Sequence, residues 1–249
     1  MKQRKEEWLD EEFNKDYHNK QFIEPYRSTV LFCDWLDKYG KLNTHKTSSI
    51  LDIGTGKGAN LLYLSGRYPN LNFTGIDINE ELIAEGKKEL KNHNITNCEL
   101  EIADIYTLHQ SKYVNKFEGI ISFQTLFWLP EFQTPLKRFV QLNPDWIALT
   151  SLFYNGKVNC KIEVEQFMKG LDKSPVKSFY NVYSLDLIQS FFQKFGYTGF
   201  HYIPFEIDID LKKPENKLMG TYTEKLSNGK RIQISGPVLM NWYFVLATK

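Results

Sequence analysis

Between residues 50 and 149, five short apolar bursts are separated by stretches long enough for a helix: Ile50 to Ile53, Asn72 to Ile76, Cys98 to Ile102, Gly119 to Phe123 and Trp146 to Leu149. No other feature of this 249-residue chain restricts its fold as much. Strands joined by helices line up in parallel, and the helices must then cover both faces of the sheet, so the spacing predicts an α/β fold. The helix between the second and third bursts can be read in detail. Asn79 is placed to cap it, Glu80 and Glu81 fall in its first turn, where carboxylates complement the exposed amides, and Leu82, Ile83, Gly86 and Leu90 share one face.

The first burst runs into a glycine-rich loop, ILDIGTGKGANLLYL, residues 50–64. Gly54, Gly56 and Gly58 permit a sharp strand-to-helix turn and let a ligand approach the backbone, with amide N–H groups at the helix start. Gly54, Gly56 and Ala59 also satisfy the dinucleotide pattern G-x-G-x-x-G/A, so the glycines alone leave nicotinamide and other nucleoside ligands open. Asp52 narrows the choice. A carboxylate at the end of the first strand repels a diphosphate in a partly dehydrated cleft and favours a cationic ligand, such as S-adenosylmethionine with its ammonium and sulfonium groups. Asp77 ends the second strand, 21 residues beyond Gly56, where an acceptor can take both ribose hydroxyls, and Asp104 lies just past the third strand.

In the order and spacing of LDIGTGKG, GIDIN, IADI and GIISFQTLFWL, the chain resembles the class I S-adenosylmethionine-dependent methyltransferases over about residues 48–150. The resemblance implies a Rossmann-like, mostly parallel sheet with an antiparallel last strand and helices on both faces. It implies that Gly54, Thr55, Gly56 and Gly58 line the methionine part of the cofactor, with Asp52 near its amino group directly or through water. Asp77 would bind the ribose, Ile78 and Ile105 would sandwich the adenine, and Asp104 would accept from its exocyclic amine. Gln124 and Thr125, followed by Leu126, Phe127 and Trp128, resemble the segment that flanks the methyl-bearing sulfur. The Asn/Asp-Pro-Pro-aromatic tetrad of amino-directed DNA, RNA and glutamine methyltransferases is not there. The segment EPYRST precedes the loop, as do family segments that close over the cofactor, which makes Arg27 a candidate for pairing bidentately with the cofactor carboxylate. Beyond residue 150 the overall plan is similar to small-molecule methyltransferases found with bacterial surface-polysaccharide genes.

These readings divide the chain into an N-terminal helical cap, 1–46, and a methyltransferase domain, 47–249, whose cofactor half is 47–150 and whose acceptor half, 151–249, carries a β insertion. In the acceptor half, VNCKIEVEQF alternates with period two and GTYTEKLSNGKRIQISG carries Asn228-Gly229 between strand-like runs, a tight-hairpin signal; the two segments are expected to pair into an added sheet. A helix, SLDLIQSFFQKFG, separates them, with strands expected in FHYIPFEIDID and NWYFVLATK. Tyr17, Tyr26, Trp128, Tyr154 and Tyr180 are candidates to frame an acceptor site, although large aromatics more often fill cores. Glu206, Asp208 and Asp210 are expected on one strand face; a solvated edge is the default for them, and Asp208 and His201 are the candidates for a base.

Composition bounds the rest. Apolar residues at 42%, aromatics at 15% and a net charge of +1 argue against disorder and against a basic coat for nucleic acid. Cys33, Cys98 and Cys160 are far apart, and the five histidines lack metal spacing, so neither a disulfide framework nor a metal site is expected. The first twenty residues lack an apolar core and no run reaches a membrane span, so a cytoplasmic protein, monomer or homodimer, is expected. The expected reaction is methyl transfer to a small-molecule acceptor, at the oxygen of a sugar or surface-glycan precursor. A nicotinamide-dependent oxidoreductase, opposed by Asp52, and a non-catalytic cofactor-binding subunit are the alternatives.

Overall fold

In the computed structural model, residues 21–42, 46–108, 110–167, 171–215 and 219–249 are described. Tyr17 lies outside them. Residues 21–23 are helical, and after them α1 (Arg27–Lys38) precedes a regular alternation: β1 (Ser49–Ile53), α2 (Ala59–Arg67), β2 (Asn72–Asp77), α3 (Glu80–Asn92), β3 (Cys98–Ile102), the short α4 (Gln110–Tyr113), β4 (Gly119–Phe123), α5 (Gln133–Gln141) and β5 (Trp146–Ser151). Two short strands, β6 (Phe153–Tyr154) and β9 (Tyr183–Ser184), bracket a hairpin of β7 (Glu163–Gln166) and β8 (Val176–Phe179). Then come α6 (Leu185–Lys194), β10 (Gly199–Phe205), β11 (Thr221–Lys225), β12 (Arg231–Ser235), β13 (Val238–Leu239) and β14 (Trp242–Thr248).

The central sheet has the order β10-β14-β5-β4-β1-β2-β3. Its members from β5 to β3 pair in parallel, while β14 runs antiparallel between β5 and β10. The order reverses between β1 and β4, and a crevice at the carboxyl ends of the strands there is where open α/β sheets hold ligands. The apolar bursts are near-continuous because these strands are buried on both faces. Successive residues alternate sides. Ile50, Phe73, Ile121, Ala148 and Phe244 belong to one core, with residues of α1, α2 and α3. Leu51, Ile53, Ile120, Ile147 and Val245 belong to the other, with residues of α5 and α6.

The helix α1 crosses the first face. Phe32 packs edge-on against Phe123 at the end of β4 and against Phe244 of β14, with ring centroids 5.2 and 5.1 Å apart, and Tyr39 reaches His201 of β10 at 4.6 Å. Arg67 at the end of α2 fixes the helix laterally, donating to Asp34 and Asp37 at 2.7 Å each. The capping reading of α3 holds, since Asn79 accepts from the amides of Glu81 and Leu82 at 3.0 and 3.1 Å.

Two expectations in the acceptor half are corrected. The alternating run at 158–164 and the Asn228-Gly229 hairpin do not share a sheet: β7 pairs with β8, whereas β11 and β12 form a separate sheet with β13. The strand through FEIDID also stops early, at Phe205. Ile207 is buried but Ile209 is 44% exposed, so the alternation of acid and isoleucine has no common buried side; Leu211 instead bonds Thr223 and carries the chain into the small sheet. Glu206, Asp208 and Asp210 therefore do not form one strand face. Among the described residues, no helix is long and apolar enough to cross a membrane.

Candidate functional site

The glycine loop is built by contacts from three neighbouring strands. The amides of Gly54 and Thr55 donate to the Ile76 carbonyl of β2 at 2.9 and 3.0 Å, turning the chain sharply after β1. Gly54 has φ +79° and lies so close to the Thr125 side chain that a Cβ there would overlap it, so the glycine and the threonine specify one another. Thr125 in turn donates to the Phe123 carbonyl at 3.1 Å. Gln124, at the end of β4, has φ +50°, a left-handed conformation costly for a residue with a side chain; its amide donates to both the carbonyl and the Oγ1 of Thr150 at 3.0 Å, which holds it there.

Asp77 joins the loop to α3. Its Oδ2 accepts from the Gly56 amide at 2.8 Å and its Oδ1 from the Asn79 amide at 2.9 Å. Burial raises its pKa against the amides of Asn79, Gly56 and Ile78, which favour the charged form. Asp104 accepts from the Tyr106 amide at 2.9 Å in a local turn, while Ile78 is partly buried and Ile105 packs on the second core.

Asp52 is wholly buried, and neither carboxylate oxygen has a hydrogen-bond partner. Burial pushes it up to about 7; the nearby Thr55 hydroxyl opposes this without closing a bond of ordinary geometry, and the Asp77 charge adds to it. A carboxylate in that position is costly unless a donor or cation meets it. The charge assumed from sequence is thus conditional: near neutrality Asp52 is poised between its two forms.

The acceptor-side candidates are dispersed. Trp128 is partly buried, 4.7 Å from the Phe127 ring and 5.4 Å from Tyr180. Tyr180 is 4% exposed and packs against Phe127, so it is a core residue and not a wall of an open pocket. Tyr26, next to α1, is partly buried, and burial raises its phenol to about 12. Tyr154 is 49% exposed. Arg27 pairs with Asp208, Nη2 to Oδ2 at 2.6 Å, and this salt bridge holds the Asp208 carboxyl below its ordinary range. His201 lies on the outer strand of the sheet against Tyr39, three strands from β4, so the structure does not bring it to the glycine loop. Among the described residues, no group of three or more His, Cys, Asp and Glu is arranged to hold a metal.

A family model described as a methyltransferase domain matches residues 44–195. The chain belongs to that family. Its methyltransferase fold is similar to that of the YcgJ protein of Bacillus subtilis, with a TM-score of 0.56 at 12% identity over 88% of this chain and 98% of that one. It is similar also to TehB of Haemophilus influenzae, with a TM-score of 0.55 at 19% identity over 92% and 65% of the two chains. At such identities the likeness is one of fold. In sequence, the chain is 34% identical over 146 residues to an uncharacterised protein of Rickettsia prowazekii, covering 55% of this chain and 58% of that protein. A tRNA (guanine-N(7)-)-methyltransferase of Oceanobacillus iheyensis is 26% identical over 100 residues, 39% and 42% of the two chains. The chain spans less than two thirds of the length of the curated relatives it matches.

The glycine loop also contains a buried lysine whose ion pair the sequence does not announce. Lys57, inside the glycine loop, is 3% exposed and pairs with Glu85 of α3. The next residue, Gly86, has no Cβ and so lets the helix pass against the Lys57 carbonyl. The sequence places Gly86 on the buried face of α3 but says nothing of its partner, because only the tertiary fold sets residue 57 beside residue 86. A groove of about 480 Å³, lined by Lys87, Lys91, Cys98, Glu99 and Glu101 among others, runs along the edge strand β3 and includes no glycine-loop residue.

Proposed function

We infer that the crevice at the ends of β1, β2 and β4 holds S-adenosylmethionine and that the protein transfers its methyl group to a small-molecule acceptor, at the oxygen of a sugar or related glycan precursor. The observation that carries the cofactor reading is the pair of orphaned Asp52 oxygens behind the glycine turn, a buried carboxyl whose charged form an ammonium-bearing ligand would stabilise and a diphosphate would not. That arrangement disfavours the nicotinamide alternative.

When bound, the cofactor supplies a sulfonium-activated methyl group and its own leaving group. The chain's part is then to bind and orient. Asp77, held by two amides, would accept from the ribose hydroxyls, Ile78 and Ile105 would sandwich the adenine, and Asp104 would accept from its exocyclic amine. Gln124 and Thr125 are locked onto β5 and the glycine turn, next to where the methyl group would face the acceptor. Alignment and exclusion of water account for most of the acceleration in such a displacement, and a hydroxyl acceptor must also lose a proton. Neither Asp208, held by Arg27, nor His201, on the outer strand, is assigned that role here.

A small acceptor is supported by the net charge of +1, by the rings packed around Trp128 and by the exposed ring of Tyr154. The lack of the Asn/Asp-Pro-Pro-aromatic tetrad points away from amino groups of nucleic acids and glutamine. The test is thermal stabilisation: S-adenosylhomocysteine should raise the melting temperature and NADH should not, since a ligand that binds only the folded state stabilises it. Stabilisation by NADH alone would overturn the reading. Release of S-adenosylhomocysteine in the presence of an acceptor, with a mass gain of one methyl group on it, would exclude a non-catalytic subunit.

A further inference from the structure

Arg27 and Asp208 are separated by 181 residues, yet they form a two-pronged ion pair, with Arg27 Nε 3.0 and 3.2 Å from the two Asp208 oxygens and Nη2 2.6 Å from Oδ2. A guanidinium fork of this kind is the usual receptor for a carboxylate. Three observations place the pair at the mouth of the crevice. Thr29, two residues along α1, donates to Asn60 at 2.8 Å, and Asn60 lies in the first turn of α2, just behind Gly58. One turn further, Phe32 packs on Phe123, the last residue of β4. On the other side, β10 is antiparallel to β14, which is antiparallel to β5, so the carboxyl end of β10, from which Asp208 follows, is at the same edge of the sheet as the glycine loop.

Asp208 also has a second cation near it. Arg231 of β12 acts on it electrostatically while bonded to Asp210 at 2.7 Å. Asp208 takes both prongs of the Arg27 fork, and Asp34 of α1 acts on Arg27 electrostatically from further off, so each partner keeps an opposite charge near it when the pair opens. Displacing Asp208 from Arg27 therefore leaves the aspartate beside a positive charge and exposes a fork able to take another carboxylate. Both side chains are more than 40% exposed, so water can solvate them during the exchange.

We propose that Asp208 is an internal competitor at the Arg27 fork, occupying it until the ligand carboxylate expected there displaces it towards Arg231. The proposal rests on the cofactor reading above, in which the ligand bears an amino-acid carboxylate. Asp208 would then lower the affinity for carboxylate-bearing ligands by the cost of displacing it, and leave nucleosides without that group unaffected.

Calorimetry with two probes tests this. S-adenosylhomocysteine carries the carboxylate; 5′-methylthioadenosine has the same nucleoside and thioether with neither the carboxylate nor the ammonium, so each probe is compared between variants. Asp208→Asn should tighten S-adenosylhomocysteine by about 3- to 10-fold and leave methylthioadenosine within about twofold. Arg27→Ala should weaken S-adenosylhomocysteine by about 10-fold or more, and adding Asp208→Asn to it should have no further effect. Should Arg27→Ala fail to fold, Arg27→Lys, which keeps the charge but lacks the fork, takes its place. The proposal is overturned if Asp208→Asn leaves or weakens S-adenosylhomocysteine binding, tightens both probes equally, or still tightens in the Arg27 variant. Those results leave the cofactor reading standing. If the wild-type protein binds neither probe, the cofactor reading fails and this proposal fails with it.

Discussion

The two halves of the molecule solve different problems. In the cofactor half, backbone conformation and polar contacts are specified almost atom by atom: Gly54 against Thr125, Gly56 against Asp77, Gly86 against Lys57, and Asp52 buried without a partner. Beyond residue 150, aromatic rings pack on one another and exposed ion pairs join loops, as with Phe205 on Phe244 or Arg231 on Asp210. One half is shaped around a ligand of fixed chemistry. The other is held mainly by ring packing and loop ion pairs, with one buried polar cluster in which Asn181 and Tyr183 donate to the Leu129 carbonyl.

The sharpest way to break this contrast is Gly54→Val. The side chain would overlap Thr125 and sit at φ +79°, so the turn must open. Overpacking plus backbone strain should cost about 3 kcal/mol and lower the melting temperature by roughly 6–12 °C. Binding of S-adenosylhomocysteine should fall more than about 100-fold. Wild-type affinity in this variant would show that the turn does not shape the ligand site. Asp77→Ala follows in size. It removes a charged acceptor from the Gly56 and Asn79 amides and, in the proposed complex, from the ribose. Bonds to a charged group are worth about 1.5–3 kcal/mol, so affinity should fall about 10- to 100-fold, and the thermal shift should vanish at ligand concentrations near the wild-type dissociation constant. A shift that persists would refute the ribose assignment.

Asp52 gives the contrast a pH signature. Its folded pKa of about 7 stands above the ordinary carboxylate value of 3.8, so its contribution to stability is fully present below about pH 4 and is lost as pH rises through about 7. Without added ligand, Asp52→Asn should therefore flatten the decline in stability between pH 4 and 7. A cationic ligand reverses the preference by favouring the charged form. Affinity for S-adenosylmethionine should be about tenfold weaker at pH 6 than at pH 8, and nearly independent of pH over that range in Asp52→Asn. A wild-type affinity flat over the same range would mean that Asp52 does not meet the ligand's positive charge.

The contrast also explains what could be read from the sequence. The strands β1 to β5, the cap at Asn79, the three glycines and the aspartates at strand ends are local signals, each set by residues within a few positions of one another. The partners of those residues are not local. Nothing near Lys57 announces Glu85, and nothing near Arg27 announces Asp208; both pairs exist because the sheet order brings distant segments together. The FEIDID run misled for a related reason. Period-two alternation predicts a strand only where one side is covered, and beyond Phe205 the chain leaves β14 for the small sheet. An aromatic ring such as that of Tyr180 reads the same in sequence whether it walls a pocket or fills a core.

The smallest expected effects lie in the acceptor half, and they test whether its independence is real. Gly236, φ +57°, stands under the Tyr180 ring, with the position of a Cβ 2.5 Å from Cζ, much as Gly54 stands against Thr125. Gly236→Ala should therefore destabilise by about 1–3 kcal/mol, yet change S-adenosylhomocysteine affinity by less than about twofold, because the strain is absorbed between two elements that do not touch the glycine loop. Tyr154→Ala should do less still. Its ring is half exposed, so the melting temperature should move by no more than about 2 °C, within the range of ordinary surface changes, and cofactor affinity should stay constant. If Tyr154 frames the acceptor, the change appears in turnover alone, as a raised KM for the acceptor at unchanged cofactor affinity. If either substitution weakened the cofactor as strongly as Asp77→Ala, the two halves would be one coupled site, and the separation drawn between them would be wrong.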